Sequence, residues 1–161
     1  MIETELKFEI KNKSEILEKL GHKVVQHEIS IMYDNAAGLM QATNGRIRVR
    51  NNEILTYKKP IASQDGAKRE IEYEVRIDGN IEPILKEMGF EPTTGYERYR
   101  TEWLVDEVKI TLDEYAFADF IELEGELEKI KLKAQELGLS NPTDKAIDTI
   151  YTERFGKTKF F

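Results

Sequence analysis

Met1-Ile2-Glu3-Thr4-Glu5-Leu6-Lys7-Phe8-Glu9-Ile10 opens the chain. Taken alternately, Ile2, Leu6, Phe8 and Ile10 (with Thr4) fall on one face, and Glu3, Glu5, Lys7 and Glu9 on the other. This is the pattern of a β-strand with one apolar and one charged side. A lone strand of this kind ordinarily belongs to an antiparallel sheet whose charged side meets solvent. The other strands decide whether that side is instead concave and shared.

They repeat the pattern. After a short helix capped by Asn12 or Ser14 and stopped at Leu20-Gly21, an extended run covers residues 29–33, and 35–44 read as a polar loop. Arg46, Arg48 and Arg50 then alternate with Ile47 and Val49 up to an Asn51-Asn52 hairpin turn. Residues 54–59 return with Thr56 and Lys58 opposite Leu55 and Tyr57, and Pro60 ends the strand. Residues 61–68, the least apolar stretch, read as a flexible loop. Glu70, Glu72, Glu74 and Arg76 next alternate with Ile71, Tyr73, Val75 and Ile77. Ile81, Ile84, Leu85 and Met88 carry a helical stripe ending at Gly89.

A strand over 96–105 sets Arg98, Arg100 and Glu102 opposite Tyr99, Thr101 and Trp103. Its hairpin partner sets Lys109, Thr111 and Asp113 opposite Val108, Ile110 and Leu112. Glu122, Glu124 and Glu126 follow on another strand, then a helix to Leu137-Gly138. Asn141-Pro142-Thr143 marks the start of a last helix. Strand, Glu-x-Glu pair, helix and stopping glycine thus recur three times, from Glu3 to Gly21, Glu72 to Gly89 and Glu122 to Gly138.

The 161 residues suffice for one domain, expected over 1–155, with a frayed tail at 156–161. Cysteine is absent, which excludes disulfides, thiolate metal sites and cysteine nucleophiles. His22 and His27 are too few for a histidine metal site. Charges at positions 3, 5 and 7 exclude a signal peptide, and no apolar run reaches membrane-spanning length. The expectation is a soluble, cytoplasmic protein. A net charge of −7 argues against a nucleic-acid partner.

Collected together, the polar strand faces carry Glu3, Glu5, Glu72, Glu74, Asp113, Glu122 and Glu124 against Lys7, Arg46, Arg48, Arg50, Lys58, Arg98 and Arg100. Arginines two apart on one face repel unless an anion lies between them, and paired glutamates want a cation. Strands this numerous tend to curl and close. The expected fold is therefore α+β: a closed antiparallel β-barrel with an ionic interior, wrapped by short helices that cover its apolar outside. Such an interior calls for a partner of both charge signs. A metal–polyphosphate complex qualifies. Guanidinium forks match phosphate oxygens, and carboxylates hold hard cations such as Mg²⁺ or Mn²⁺. A triphosphate of about −4 with two divalent cations is near neutral, as is the interior. No glycine loop for phosphates is present, so side chains must do the holding.

Glu3-Thr4-Glu5-Leu6-Lys7 resembles the Glu-x-Glu-x-Lys signature of the CYTH superfamily, the triphosphate tunnel metalloenzymes. Further matches follow in order: Tyr33-Asp34; Ile47-Arg48-Val49-Arg50, with Arg46 an extra member and the register open; Leu55-Thr56-Tyr57-Lys58; Arg69 with Glu72-Tyr73-Glu74; Arg98-Tyr99-Arg100; Asp113; the Phe120-Ile121-Glu122-Leu123-Glu124 run; and Lys145. The resemblance implies an eight-stranded antiparallel tunnel. It also implies Mg²⁺ or Mn²⁺, two per site, on Glu3, Glu5, Asp113, Glu122 and Glu124. Glu72 and Glu74 complete the metal shell or position the attacking water. Lys7, Arg46, Arg48, Arg50, Lys58, Arg98, Arg100 and Lys145 grip phosphate oxygens, Lys7 also acting in catalysis.

The expected function is hydrolysis of the terminal phosphate of a small triphosphate: inorganic triphosphate, thiamine triphosphate or a nucleoside triphosphate. The alternative is an adenylyl cyclase of class IV type, making cyclic AMP and pyrophosphate from ATP. Both use the same residues, and no adenine reader is evident in the sequence. A non-catalytic polyphosphate-binding module is the third possibility, disfavoured by the number of carboxylates.

Overall fold

The computed structural model describes residues 2–63 and 65–156. Gln64, in the expected loop, and the tail beyond Gly156 lie outside them. The elements in chain order are β1 (Ile2–Ile10), α1 (Lys13–Leu20), β2 (Gln26–Asn35), α2 (Leu39–Thr43), β3 (Arg46–Arg50), β4 (Ile54–Pro60), β5 (Lys68–Arg76), α3 (Glu82–Glu87), β6 (Phe90–Val105), β7 (Val108–Glu114), β8 (Asp119–Glu124), α4 (Leu127–Leu137) and α5 (Ile147–Phe155).

The strands close into an antiparallel barrel in the order β1-β5-β4-β3-β2-β6-β7-β8. β1 is the seam. Its first half pairs with β5 (Glu3 opposite Glu70) and its second with β8 (Lys7 opposite Glu122), so neither edge is left open. Residues 51–53 join β3 to β4; Asn51 and Asn52 both take left-handed backbone (φ 51° and 55°), which lets the Glu53 amide donate back to the Arg50 carbonyl at 2.9 Å and close a tight turn. Asn12 caps α1, its side chain accepting from the Ser14 amide at 3.1 Å.

The apolar faces turn outward, under the helices. Leu6 and Phe8 of β1, Trp103 of β6, Ile110 of β7 and Leu123 of β8 pack with Ile16 of α1 and Ile130, Ala134 and Leu137 of α4. A smaller cluster joins Tyr33 and Val49 to Leu85 of α3. The main core therefore lies between barrel wall and helices, which leaves the barrel interior to charge.

The sequence expectation needs correction in four places. The interior is not ionic throughout: Tyr96, Tyr115 and Phe120 pack with Ile147 and Ile150 of α5 as an aromatic and aliphatic cluster on the inner face. The last helix starts at Ile147 rather than near Asn141. The segment before it stays extended, and the Thr143 amide donates to the Lys7 carbonyl at 2.8 Å. The 61–68 stretch is anchored at its far end, since Ala67 is fully buried in the main core and Lys68 already belongs to β5. Finally, 39–43 is a short helix, whose Met40 and Gln41 amides donate to the Asp34 carboxylate.

Candidate active site

Inside the barrel is a cavity of about 510 Å³ with two chemically distinct walls. Adjacent strands β8, β1 and β5 contribute Glu122 and Glu124, Glu3 and Glu5, and Glu70, Glu72 and Glu74. Across from them, β4, β3 and β6 contribute Lys58, then Arg46, Arg48 and Arg50, then Arg98 and Arg100. The period of two makes this possible, because each strand gives alternate residues to the lumen. The register of β3 is settled: all three arginines face inward. The three Glu-x-Glu pairs, distant in sequence, lie on three neighbouring strands.

Ion pairs stitch the walls together. Lys58 Nζ donates to Glu3 at 2.9 Å and also pairs with Glu72. Lys7, itself buried, lies 3.2 Å from Glu122 and 4.0 Å from Glu5. Arg46 pairs with Glu70, which Lys68 also holds at 2.9 Å. Arg50 reaches Glu28 at 3.2 Å and Glu74 at 3.4 Å. Arg100 spans from Asp113 to Glu122, 3.1 Å away. Burial pushes the Glu122 carboxyl up, but Lys7 and Arg100 outweigh it and hold the group well below the carboxylate range.

Arg48 differs from its neighbours. Its Nη1 donates to the Tyr96 hydroxyl at 3.1 Å and its Nη2 to Thr56 at 3.3 Å. Among the described residues no carboxylate lies within ion-pair distance of it. Its Nε is buried without a hydrogen-bond partner. A buried guanidinium with no carboxylate at ion-pair distance and an unpartnered Nε is a site for an anion.

The carboxylate wall can take a hard cation. Burial and the neighbouring Glu72 carboxyl raise Glu3 to about 8, so that a proton can sit between the two groups. Burial opposes ionisation of Glu72 too, but protonated Glu3 and the Lys58 ammonium hold it low. A divalent cation would occupy the place of that proton. Glu5 and Glu124 are direct cross-strand partners, a second facing pair. Among the described residues no three acidic or histidine side chains form a ready-made metal cage. An ion there would need ligand phosphates to complete its shell. The all-oxygen donor set fits the implied metals.

Two expected site residues lie elsewhere. Asp113 is fully buried behind the basic wall, not on the lumen. One oxygen accepts from Arg100 Nε at 2.6 Å, the other from Arg98 Nη1 at 2.9 Å and Arg100 Nη2 at 2.5 Å. Its acceptors are engaged by guanidinium, so its role here is to aim two arginines. Lys145 points away from the tunnel and pairs with Glu153 at 2.7 Å; its carbonyl, not its ammonium, meets Lys7, 3.4 Å from Nζ.

Among the lumen residues that escaped the sequence assignment are Glu28, Lys68, Glu70 and Tyr96. Glu28, buried, accepts from Arg98 Nε at 2.7 Å and Arg50 at 3.2 Å. Extending the alternation of β2 back to Gln26 and of β5 back to Lys68 would have found Glu28 and Lys68, whereas Glu70 already stood on the charged face of its strand and was left out of the site set. The two histidines contribute nothing to the tunnel; His27 stacks on Tyr99 and pairs with Glu97 outside it. Among the described residues no helix is long and apolar enough to cross a membrane.

A second cavity of about 510 Å³ adjoins the first, sharing Met32, Arg46, Lys68, Ala146 and Asp148. Its lining is more neutral, with Met40, Ile47, Ile61, Gln41, Asn44 and Thr94 among it.

Comparison with known proteins agrees with this geometry. Residues 1–145 match the CYTH domain. MJ0240 of Methanocaldococcus jannaschii, named as a candidate adenylate cyclase, is 26% identical over 147 residues, covering 85% of this chain and 84% of that one. The solved structure of the PH1819 protein from Pyrococcus horikoshii superimposes with a TM-score of 0.78 at 25% identity, covering 94% of this chain and 99% of that one. HpAC1 of Hippeastrum, described as a candidate adenylyl cyclase with a dominant triphosphatase activity, has a TM-score of 0.67 at 20% identity and covers 96% of each chain. With the family model spanning most of its length and a closed eight-stranded tunnel of the same kind, the chain belongs to the CYTH family.

Proposed function

We propose that the protein is a divalent-metal-dependent enzyme that hydrolyses the terminal phosphate of a small triphosphate bound in the tunnel. The observation that carries this is Arg48, a tunnel guanidinium without a carboxylate, at the centre of a basic wall facing paired carboxylates. The anion supplies what Arg48 lacks. The remaining cations, already shared with glutamates, exchange part of that pairing for phosphate oxygens.

Arg46, Arg48, Arg50 and Lys58 bind and align the phosphate chain, and Arg98 and Arg100, aimed by Asp113 and Glu28, stabilise charge on the departing oxygen. Glu3, Glu5, Glu72, Glu122 and Glu124 are the residues that would hold Mg²⁺ or Mn²⁺, and Glu74 would orient the attacking water. Such an ion, when bound, polarises phosphoryl oxygens and neutralises their charge. The triphosphatase activity described for HpAC1 supports the same chemistry on this fold.

Cyclisation of ATP is the second reading, favoured by the more neutral cavity beside the tunnel, which has room for a nucleoside, and by the name given to MJ0240. One assay separates them. Inorganic triphosphate, thiamine triphosphate and ATP are each offered with Mg²⁺ or Mn²⁺. Phosphate release, abolished by EDTA and restored by added metal, is the expected result. Cyclic AMP as the main product from ATP would establish the second reading, and no turnover of any of them would leave a binding protein.

A further inference from the structure

Tyr96 is the phenol whose hydroxyl meets Arg48. It lies on the inner face of β6 two residues before Arg98, is 6% exposed, and lines the cavity. Its hydroxyl accepts from Arg48 Nη1 at 3.1 Å, while the Arg98 guanidinium lies 5.7 Å from its ring centroid. From β2, Ser30 faces it with a buried hydroxyl, Tyr115 meets its ring edge-on at 5.7 Å, and α5 presents Ile147, with Asp148 lining the same cavity. The charges in contact with the phenolic oxygen are thus positive. The hydroxyl is the atom through which Arg48 is now partly satisfied, so an anion that binds Arg48 meets Tyr96 as well.

We propose that Tyr96 is a ligand-binding residue of the tunnel: when a phosphate oxygen takes the Arg48 hydrogen bond, the Tyr96 hydroxyl turns from acceptor to donor toward that same phosphate. This deepens the triphosphate reading and rests on it. A donor needs its proton. Burial opposes ionisation of Tyr96, but Arg48 and Arg98 outweigh it and bring the phenol down to about 7, so near neutral pH the free protein holds part of Tyr96 as phenolate. A phosphate between the arginines cancels their field and repels the phenolate, so the ligand drives proton uptake at this one oxygen. Tyr115, which accepts from Arg98 at 3.3 Å, is pushed the opposite way, by burial and then by the nearby Asp113 carboxylate, and stays neutral.

The test uses inorganic tripolyphosphate with EDTA present, so that binding is read without turnover. The wild-type protein is expected to show a near-ultraviolet phenolate band with a midpoint near neutral pH, which fades as tripolyphosphate is added. Y96F is expected to lack that band, to bind tripolyphosphate about tenfold more weakly, and to take up fewer protons, as read by calorimetry in two buffers of different ionisation heat. Y115F is expected to keep the band. If Y96F proves poorly folded, fading of the wild-type band on ligand addition decides by itself. A band that survives in Y96F, vanishes in Y115F, or is indifferent to ligand overturns the assignment of Tyr96 and leaves the triphosphate reading standing. A wild-type protein that fails to bind tripolyphosphate in EDTA overturns the Tyr96 assignment, and one that also neither binds nor hydrolyses it with added Mg²⁺ or Mn²⁺ overturns both.

Discussion

Arg48 and Asp113 show how differently two charges in one barrel can behave. Asp113 is fully buried and makes three short hydrogen bonds to two arginines; removing one partner of such a cluster strands the others. Arg48 has no carboxylate to strand. Replacing it with methionine, similar in length and uncharged, is expected to raise thermal stability by about 1 kcal/mol, some 2–4 °C in a chain of this size, while lowering triphosphate turnover by at least about a hundredfold. A melting curve and a phosphate-release assay on Arg48→Met check both halves. A variant that melts well below wild type would show that the arginine is structural. Opposite signs for stability and function at one position mark a site kept for its ligand.

The interior face of α5 is where element-scale packing meets the site. Ile150 is 6% exposed and joins Tyr96, Tyr115 and Phe120 in the cluster on the inner barrel face. Truncation to alanine leaves a hole there, with an expected loss of about 2–5 kcal/mol. Because that cluster supports Tyr96, Ile150→Ala should also weaken tripolyphosphate binding, whereas Leu137→Ala, in the outer core under α4, should destabilise without changing affinity in the folded protein. Urea melts and calorimetry on the two variants distinguish these outcomes.

The strands were legible in the sequence because alternation survives any barrel geometry: Glu3, Arg48, Lys58, Arg98 and Glu122 could be set on one face without coordinates. The start of α5 was not. Asn141-Pro142-Thr143 has the composition of a helix start, but the Thr143 amide is recruited by the Lys7 carbonyl, and that tertiary hydrogen bond keeps the segment extended. The same limit applies to Asp113 and Lys145. Both stand at matching positions in the chain, but depth behind a wall and the direction of an exposed side chain are set by packing. Glu28 was missed for a simpler reason: its strand runs three residues further back than its apolar stretch indicates.

At the scale of the whole molecule the barrel has exchanged the usual apolar interior for opposed charge, so its stability depends on pH in a definite sense. Glu28 and Glu70 are both buried against cations. Burial alone would raise them, but Arg98, Arg100 and Arg50 around the first, and Arg46 and Lys68 around the second, lower both. A carboxyl held below its unfolded value stabilises the fold fully above the ordinary glutamate pKa of about 4.3, and that contribution is lost as the pH falls through the folded value. Protonation leaves arginines facing one another inside a closed wall. Glu28→Gln mimics protonation at one position and should cost about 3 kcal/mol near neutral pH, where the wild-type carboxylate is fully ionised. The deficit should hold steady down to about pH 4.3, then narrow as Glu28 of the unfolded wild-type chain takes up a proton, and close as the pH falls through the lower folded value. Urea unfolding of the two proteins at a series of pH values measures it. A deficit that stays constant through the acid range would show that the Glu28 charge contributes nothing, and that the arginines beside it are held by the barrel alone.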